Sequence, residues 1–185
     1  MSAFPIPRIV TRYVTTVAQP SLGGLDARLR TAEAASQRWL IAHSVAILRI
    51  SVGAVLLAFG LLKFFPGVSP AQDLVEATTS MLTFGLVPGA TALVGVALLE
   101  TVLGLWLILG RGMRGAMYLL GMQLVGIMSP LVLLPGRLFA GPHGAPTLEG
   151  QYVLKDVIIV GAALVLAATL GGGRLAAQAQ RDENA

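Results

Sequence analysis

With 185 residues, 55% of them hydrophobic and only 12% charged, and a mean hydropathy of +0.78, the chain is too apolar to be a soluble domain; such a domain is about half apolar and about a quarter charged. It contains no Cys, which excludes disulfide exchange, thiolate nucleophiles and Cys-ligated iron–sulfur or zinc sites on this chain. The net charge of +4 and the pI near 10.1 do not signal nucleic acid, because the arginines flank apolar segments and form no single basic face with interleaved aromatics.

Residues 1–24 are polar and mixed, contain three prolines and lack the apolar run of a signal peptide; they read as a flexible arm. Over 25–42, Leu25, Leu29, Ala32 and Trp39 recur at helical spacing, with Arg28, Arg30, Arg38 and Glu33 elsewhere. That pattern predicts an interfacial amphipathic helix anchored by Trp39, with a docking surface for a soluble partner as the alternative.

Four apolar stretches follow, at 44–65, 86–110, 113–134 and 152–170. Each approaches the roughly 20 residues that a helix needs to cross about 30 Å of hydrocarbon. The expected fold is therefore all-α: an integral membrane four-helix bundle preceded by the amphipathic helix and followed by a tail over 172–185. The ten prolines and 22 glycines fit this reading, since both residues are more frequent in membrane helices than in soluble ones. Pro88 is expected in the first turn of the second span, and Pro130 is expected to kink the third and free the carbonyl of residue 126.

Between the first two spans, Ser69-Pro70-Ala71-Gln72 has the form of an N-cap, a proline at the first helical position and a capping-box Gln. A short helix over about 70–83 is predicted, with Leu74, Val75, Met81 and Leu82 toward the membrane and Asp73 and Glu76 toward water. It reads as a lid across the outer end of the bundle, with a plain connector as the alternative.

Lys and Arg set the expected orientation. Arg8, Arg12, Arg28, Arg30, Arg38, Arg111, Arg114, Arg174 and Arg181 fall on one side, against Lys63, Arg137 and Lys155 on the other. Positive charge collects on the cytoplasmic side, so both termini are expected in the cytoplasm and the protein in the inner membrane.

Charge at membrane depth is costly and marks either a partner or a purpose. Arg49 and Lys63 lie on one stripe of the first span with Gly53, Leu56 and Gly60 between them, a small-residue face suited to close helix packing. Counting depth at 1.5 Å per residue gives two expected groups. The inner one is Arg49, Glu100 and Gln123, with Glu100 paired to Arg49 and flanked on its own face by Ala97 and Gly104. The outer one is Lys63, Ser129, Lys155 and Asp156, where snorkelling to solvent is the competing explanation.

His43 and His143 fall on opposite sides of the membrane, which excludes a bis-His haem and leaves no metal site. There is no phosphate-binding loop and no dinucleotide fingerprint. Redox chemistry would then need a lipid-soluble quinone or a partner's electron carrier.

Several segments together resemble the DoxX-like membrane proteins: Leu48-Arg49-Ile50-Ser51-Val52-Gly53 through Phe59-Gly60-Leu61-Leu62-Lys63-Phe64-Phe65-Pro66-Gly67, Leu98-Leu99-Glu100-Thr101, Ser129-Pro130-Leu131-Val132, and Pro146-Thr147-Leu148-Glu149-Gly150-Gln151-Tyr152-Val153-Leu154-Lys155-Asp156. The resemblance covers roughly residues 40–170. It implies a four-helix membrane bundle and, through the DoxD branch, a part in quinone-linked sulfur oxidation or redox defence. The leading expectation is a quinone-interacting or accessory subunit of a membrane oxidoreductase system, at most an oxidoreductase subunit, with no covalently bound cofactor. A non-catalytic scaffold or assembly subunit and a small transporter or proton pathway are the alternatives. The partners expected are the lipid bilayer, a soluble or membrane redox partner and, as an open case, further copies of the chain in a homo-oligomer; no nucleic acid is expected.

Overall fold

The computed structural model describes residues 24–170. The expected tail over 172–185, and the expected arm apart from Gly24, lie outside the described residues. Helix α1 runs Leu25–Leu62, and the chain divides inside it into two compact units, Met1–Ala42 and His43–Ala185. Within the first unit, Leu29, Trp39, Leu40 and Ile41 are exposed, and the Thr31 and Ser36 hydroxyls donate to the Ala27 and Glu33 carbonyls of the same helix.

The second unit continues with α2 (Gln72–Leu82), α3 (Gly89–Leu109), α4 (Met113–Met128), α5 (Pro130–Leu133), α6 (Pro135–Leu138), α7 (Leu148–Lys155) and α8 (Val157–Leu170). No strand occurs among the described residues. Among the described residues, four segments are long and apolar enough to cross a membrane: Asp26–Leu62, Gly89–Leu109, Met113–Leu133 and Pro142–Leu170. The all-α membrane bundle expected from the sequence is the fold.

Helix α3 shows how the bundle is assembled. Ala92, Leu93, Ala97, Glu100, Leu103, Gly104 and Leu107 are buried at three- and four-residue spacing, whereas Val94, Leu98, Val102, Leu105 and Leu109 are exposed. The first set faces protein and the second is apolar surface available to lipid. Val52, Leu56, Leu103, Leu107, Ala116, Leu120, Leu124 and Ala162 form the main core. A smaller cluster of Leu74, Leu138 and Val153 lies under α2.

Glycines fix the register of α1 against α3. A Cβ added at Gly104 would stand 2.6 Å from the Leu57 nitrogen, and one at Gly60 would stand 2.8 Å from the Thr101 nitrogen. The backbones therefore touch where side chains would keep them apart, as in small-residue membrane interfaces. Between α3 and α4 the turn is short because Gly110 and Gly112 adopt left-handed conformations, with φ of 72° and 61°, which glycine adopts without steric cost.

Two helix boundaries differ from the sequence reading. Pro88 precedes α3 as its extended N-cap residue, one position outside the helix. Ser69 does not cap α2: the helix starts after Ala71 with no side-chain cap bond. Gln72 instead accepts from the Gly67 N–H at 2.8 Å and donates to Glu76 at 3.1 Å, so its side chain closes the preceding turn and is unavailable for a capping box.

Pro130 does break the third span, separating α4 from α5. The carbonyl that its missing N–H leaves open belongs to Gly126, and the Ser129 hydroxyl donates to it at 2.7 Å. The fourth span extends further than expected; its helix α7 already begins at Leu148 and is separated from α8 by an interruption at Asp156. Thr147 caps α7 by accepting from the Gly150 N–H at 3.1 Å. Beside it, Arg137 grips Glu149 through two bonds of 2.5 and 2.6 Å, and these bonds raise the guanidinium's pKa above its usual value.

Candidate functional site

The buried charge in the bundle is one connected network. Glu100 projects from the middle of α3 toward α1 and α4. Its Oε2 accepts from Lys63 Nζ at 2.6 Å and its Oε1 accepts from Gln123 Nε2 at 3.2 Å. Lys63, Glu100 and Gln123 are all buried, and Lys63 also donates to the Phe59 carbonyl at 3.4 Å.

This arrangement corrects the expected pairing. Arg49 does not meet Glu100; its Nη1 donates to the Leu107 and Ile108 carbonyls at 2.5 and 3.2 Å. The reason is register. With Gly60 against Glu100 and Thr101, and Gly53 against Gly104 and Leu107, the antiparallel helices bring Arg49 to the end of α3. Leu107 lies seven residues past Glu100, about 10 Å along the axis. There Arg49 satisfies carbonyls that lack intrahelical partners, at the negative end of the helix dipole.

The same register carries Lys63 to Glu100. Lys63 stands just beyond the last residue of α1, and its side chain turns back into the bundle to the carboxylate. Snorkelling to solvent does not describe it. Gln123, by contrast, stands beside Glu100 as expected, and Ala97 and Gly104 flank Glu100 in the buried stripe.

The outer group expected from the sequence also divides. Lys155 is exposed, and Ser129 is committed to the Gly126 carbonyl. Asp156 is half-buried. Adjacent residues on a helix point in different directions, so Lys155 and Asp156 could not both face inward.

Asp156 and the Lys63–Glu100–Gln123 network line one cavity of about 130 Å³. Its other walls come from Phe59 of α1, Leu74, Thr78 and Leu82 of α2, Pro130 of α5 and Tyr152 of α7, among further apolar side chains. Helix α2 thus closes over the cavity with Leu74 and Thr78 buried, while Met81 and Leu82 remain exposed.

Tyr152, Phe59 and Thr78 line the cavity without having been given a role from the sequence. Tyr152 packs edge-on against Phe59, with ring centroids 5.7 Å apart at 84°. Thr78 is buried and its hydroxyl has no hydrogen-bond partner among the described residues. Helical spacing held a signal for two of them: Tyr152 precedes Asp156 by four residues and Thr78 follows Leu74 by four, so each shares a face with a residue already in view.

Chemically, the cavity is apolar over most of its wall and polar at a few convergent points, the usual composition of a small-molecule site. A model of the DoxX family matches residues 44–139, a range that contains Lys63, Glu100 and Gln123 and ends before Tyr152 and Asp156. No curated protein and no solved structure matches the chain.

Proposed function

The chain belongs to the DoxX family, and we propose that its cavity holds the head group of a lipid-soluble quinone. The protein would then serve as a quinone-interacting or accessory subunit of an oxidoreductase system in the inner membrane, with both termini cytoplasmic. The observation that carries this reading is the cavity itself: a polar network of Lys63, Glu100 and Gln123 at the wall of an otherwise apolar chamber inside a multi-pass membrane bundle.

Size supports a ring and not a whole lipid. An apolar cavity of about 150 Å³ accommodates benzene, whereas drug-sized ligands occupy about 300–1,000 Å³. A chamber of about 130 Å³ matches a single six-membered ring, with an isoprenoid tail left among the surrounding lipid chains. Polarity supports the same class, since Thr78, Tyr152 and Gln123 offer hydrogen bonds to ring oxygens while Leu74, Val153 and Ile159 cover the ring faces.

The test is to purify the protein in mild detergent, extract bound small molecules and identify them by mass spectrometry, then titrate decylubiquinone into nanodisc-embedded protein by calorimetry. A co-purifying quinone and a saturable heat that is weakened in Glu100→Gln are expected. No quinone in the extract and no saturable heat would refute the proposal and favour a scaffold whose polar core serves packing alone.

A further inference from the structure

Among the hydrogen-bonding groups around the cavity, one carboxylate stands without a donor from the described residues. Lys63 makes one short bond, to Glu100 at 2.6 Å, and one long one, to the Phe59 carbonyl at 3.4 Å, so its charge is committed to the Glu100 pair while one N–H remains. Gln123 directs one Nε2–H to Glu100, which leaves its second N–H and its Oε1 in a side chain that lines the cavity. Asp156 adds a carboxylate with no hydrogen-bond partner among the described residues, and an ionised carboxylate only accepts. The Tyr152 and Thr78 hydroxyls can serve either way, and the buried Thr78 hydroxyl is unpartnered among the described residues.

Formal charge points in the same direction. Lys63 and Glu100 cancel across 2.6 Å, so Asp156 is the remaining charged side chain at the wall. A quinone presents only carbonyl acceptors to such a wall. A hydroquinone presents O–H donors.

Resting on the reading of this cavity as a quinone site, we propose that it binds the reduced hydroquinone in preference to the quinone, with Asp156 accepting the hydrogen bond that tells them apart. Charge-assisted hydrogen bonds are roughly twice as strong as neutral ones, and a polar site rejects an analogue that leaves its buried groups unpaired. Asp156 lies where α7 gives way to α8, so its carboxylate sits at a break in the fourth span. Thr78 faces the same space from the lid.

Calorimetric titration of the full chain in nanodiscs tests this, using decylubiquinone in one arm and decylubiquinol under argon in the other, with empty nanodiscs subtracted. The quinol is expected to bind at least about tenfold more tightly, a difference of one good hydrogen bond, and Asp156→Asn to bring the ratio close to one. Equal affinities, or tighter quinone binding, would overturn the preference and leave the quinone site standing. Binding of neither form would overturn both. A preference that survives Asp156→Asn would overturn the role given to Asp156. Should that variant not fold, the wild-type ratio still decides the preference, and infrared difference spectra of wild-type protein with isotope-labelled Asp decide whether a carboxylate band shifts on quinol binding.

Discussion

Lys63 and Glu100 stand 37 residues apart in sequence and meet at 2.6 Å in the interior of the bundle, joined by the glycine-set register of α1 and α3. Removing one charge leaves the other buried and uncompensated, which costs about 3–5 kcal/mol, whereas replacing both with apolar or neutral groups of similar volume is often close to neutral. Lys63→Met alone is therefore expected to lower thermal stability sharply, and Lys63→Met with Glu100→Gln to recover most of the loss. Thermal unfolding in detergent across the full double-mutant cycle checks it; equal losses in the single and double variants would show that the pair is not coupled.

Gly104→Ala places a methyl group 2.6 Å from the Leu57 nitrogen, so α1 and α3 must separate. Overpacking of this kind costs about 1–3 kcal/mol. Gly95 has open space around its Cβ position, and Gly95→Ala in the same helix should be neutral or stabilise by up to about 1 kcal/mol. Melting temperatures of the two variants compared side by side decide the matter, and similar losses would contradict the register described.

Ser129→Ala withdraws the hydroxyl that satisfies the Gly126 carbonyl opened by Pro130. The carbonyl then keeps only the long bond from the Ser129 N–H at 3.3 Å, and losing the shorter one is expected to cost about 1 kcal/mol. Restoring the backbone donor with Pro130→Ala in the same chain should reduce that loss. If Ser129→Ala is as stable as wild type, the backbone N–H alone satisfies the carbonyl and the hydroxyl contributes nothing.

Thr78→Val separates a ligand group from a structural one. The buried hydroxyl lacks a partner among the described residues, and exchanging it for a methyl of similar shape should raise the stability of the ligand-free protein by about 1 kcal/mol or more. The same substitution should weaken quinone binding. Loss of stability without loss of binding would assign Thr78 to packing.

The sequence made the fold legible because each span carries its own apolar run and each needs to satisfy its backbone internally. Glu100 and Gln123 were placed together correctly because both lie near the middle of their helices, where depth counting is least sensitive to boundaries. The partner of Glu100 was not legible. Depth counting from expected helix ends favoured Arg49, and only the contacts of Gly53 and Gly60 with α3 show that Arg49 caps the far end while Lys63 reaches back. Asp156 and Lys155 looked alike in sequence and part company through helix phase. The roof of the cavity needed the tertiary placement of α2, since Leu74 and Thr78 face protein where a flat surface helix would have faced lipid.

The central claim is that the chamber walled by Lys63, Glu100, Gln123, Thr78, Tyr152 and Asp156 receives a quinone head group, and photoaffinity labelling tests it most directly. An azido-ubiquinone analogue irradiated with the protein in nanodiscs, followed by peptide mass spectrometry, should modify residues of α2 and α7 that line the cavity, and excess decylubiquinone should protect them. Labelling spread over the exposed faces of α3 and α8, or labelling that decylubiquinone does not suppress, would contradict it.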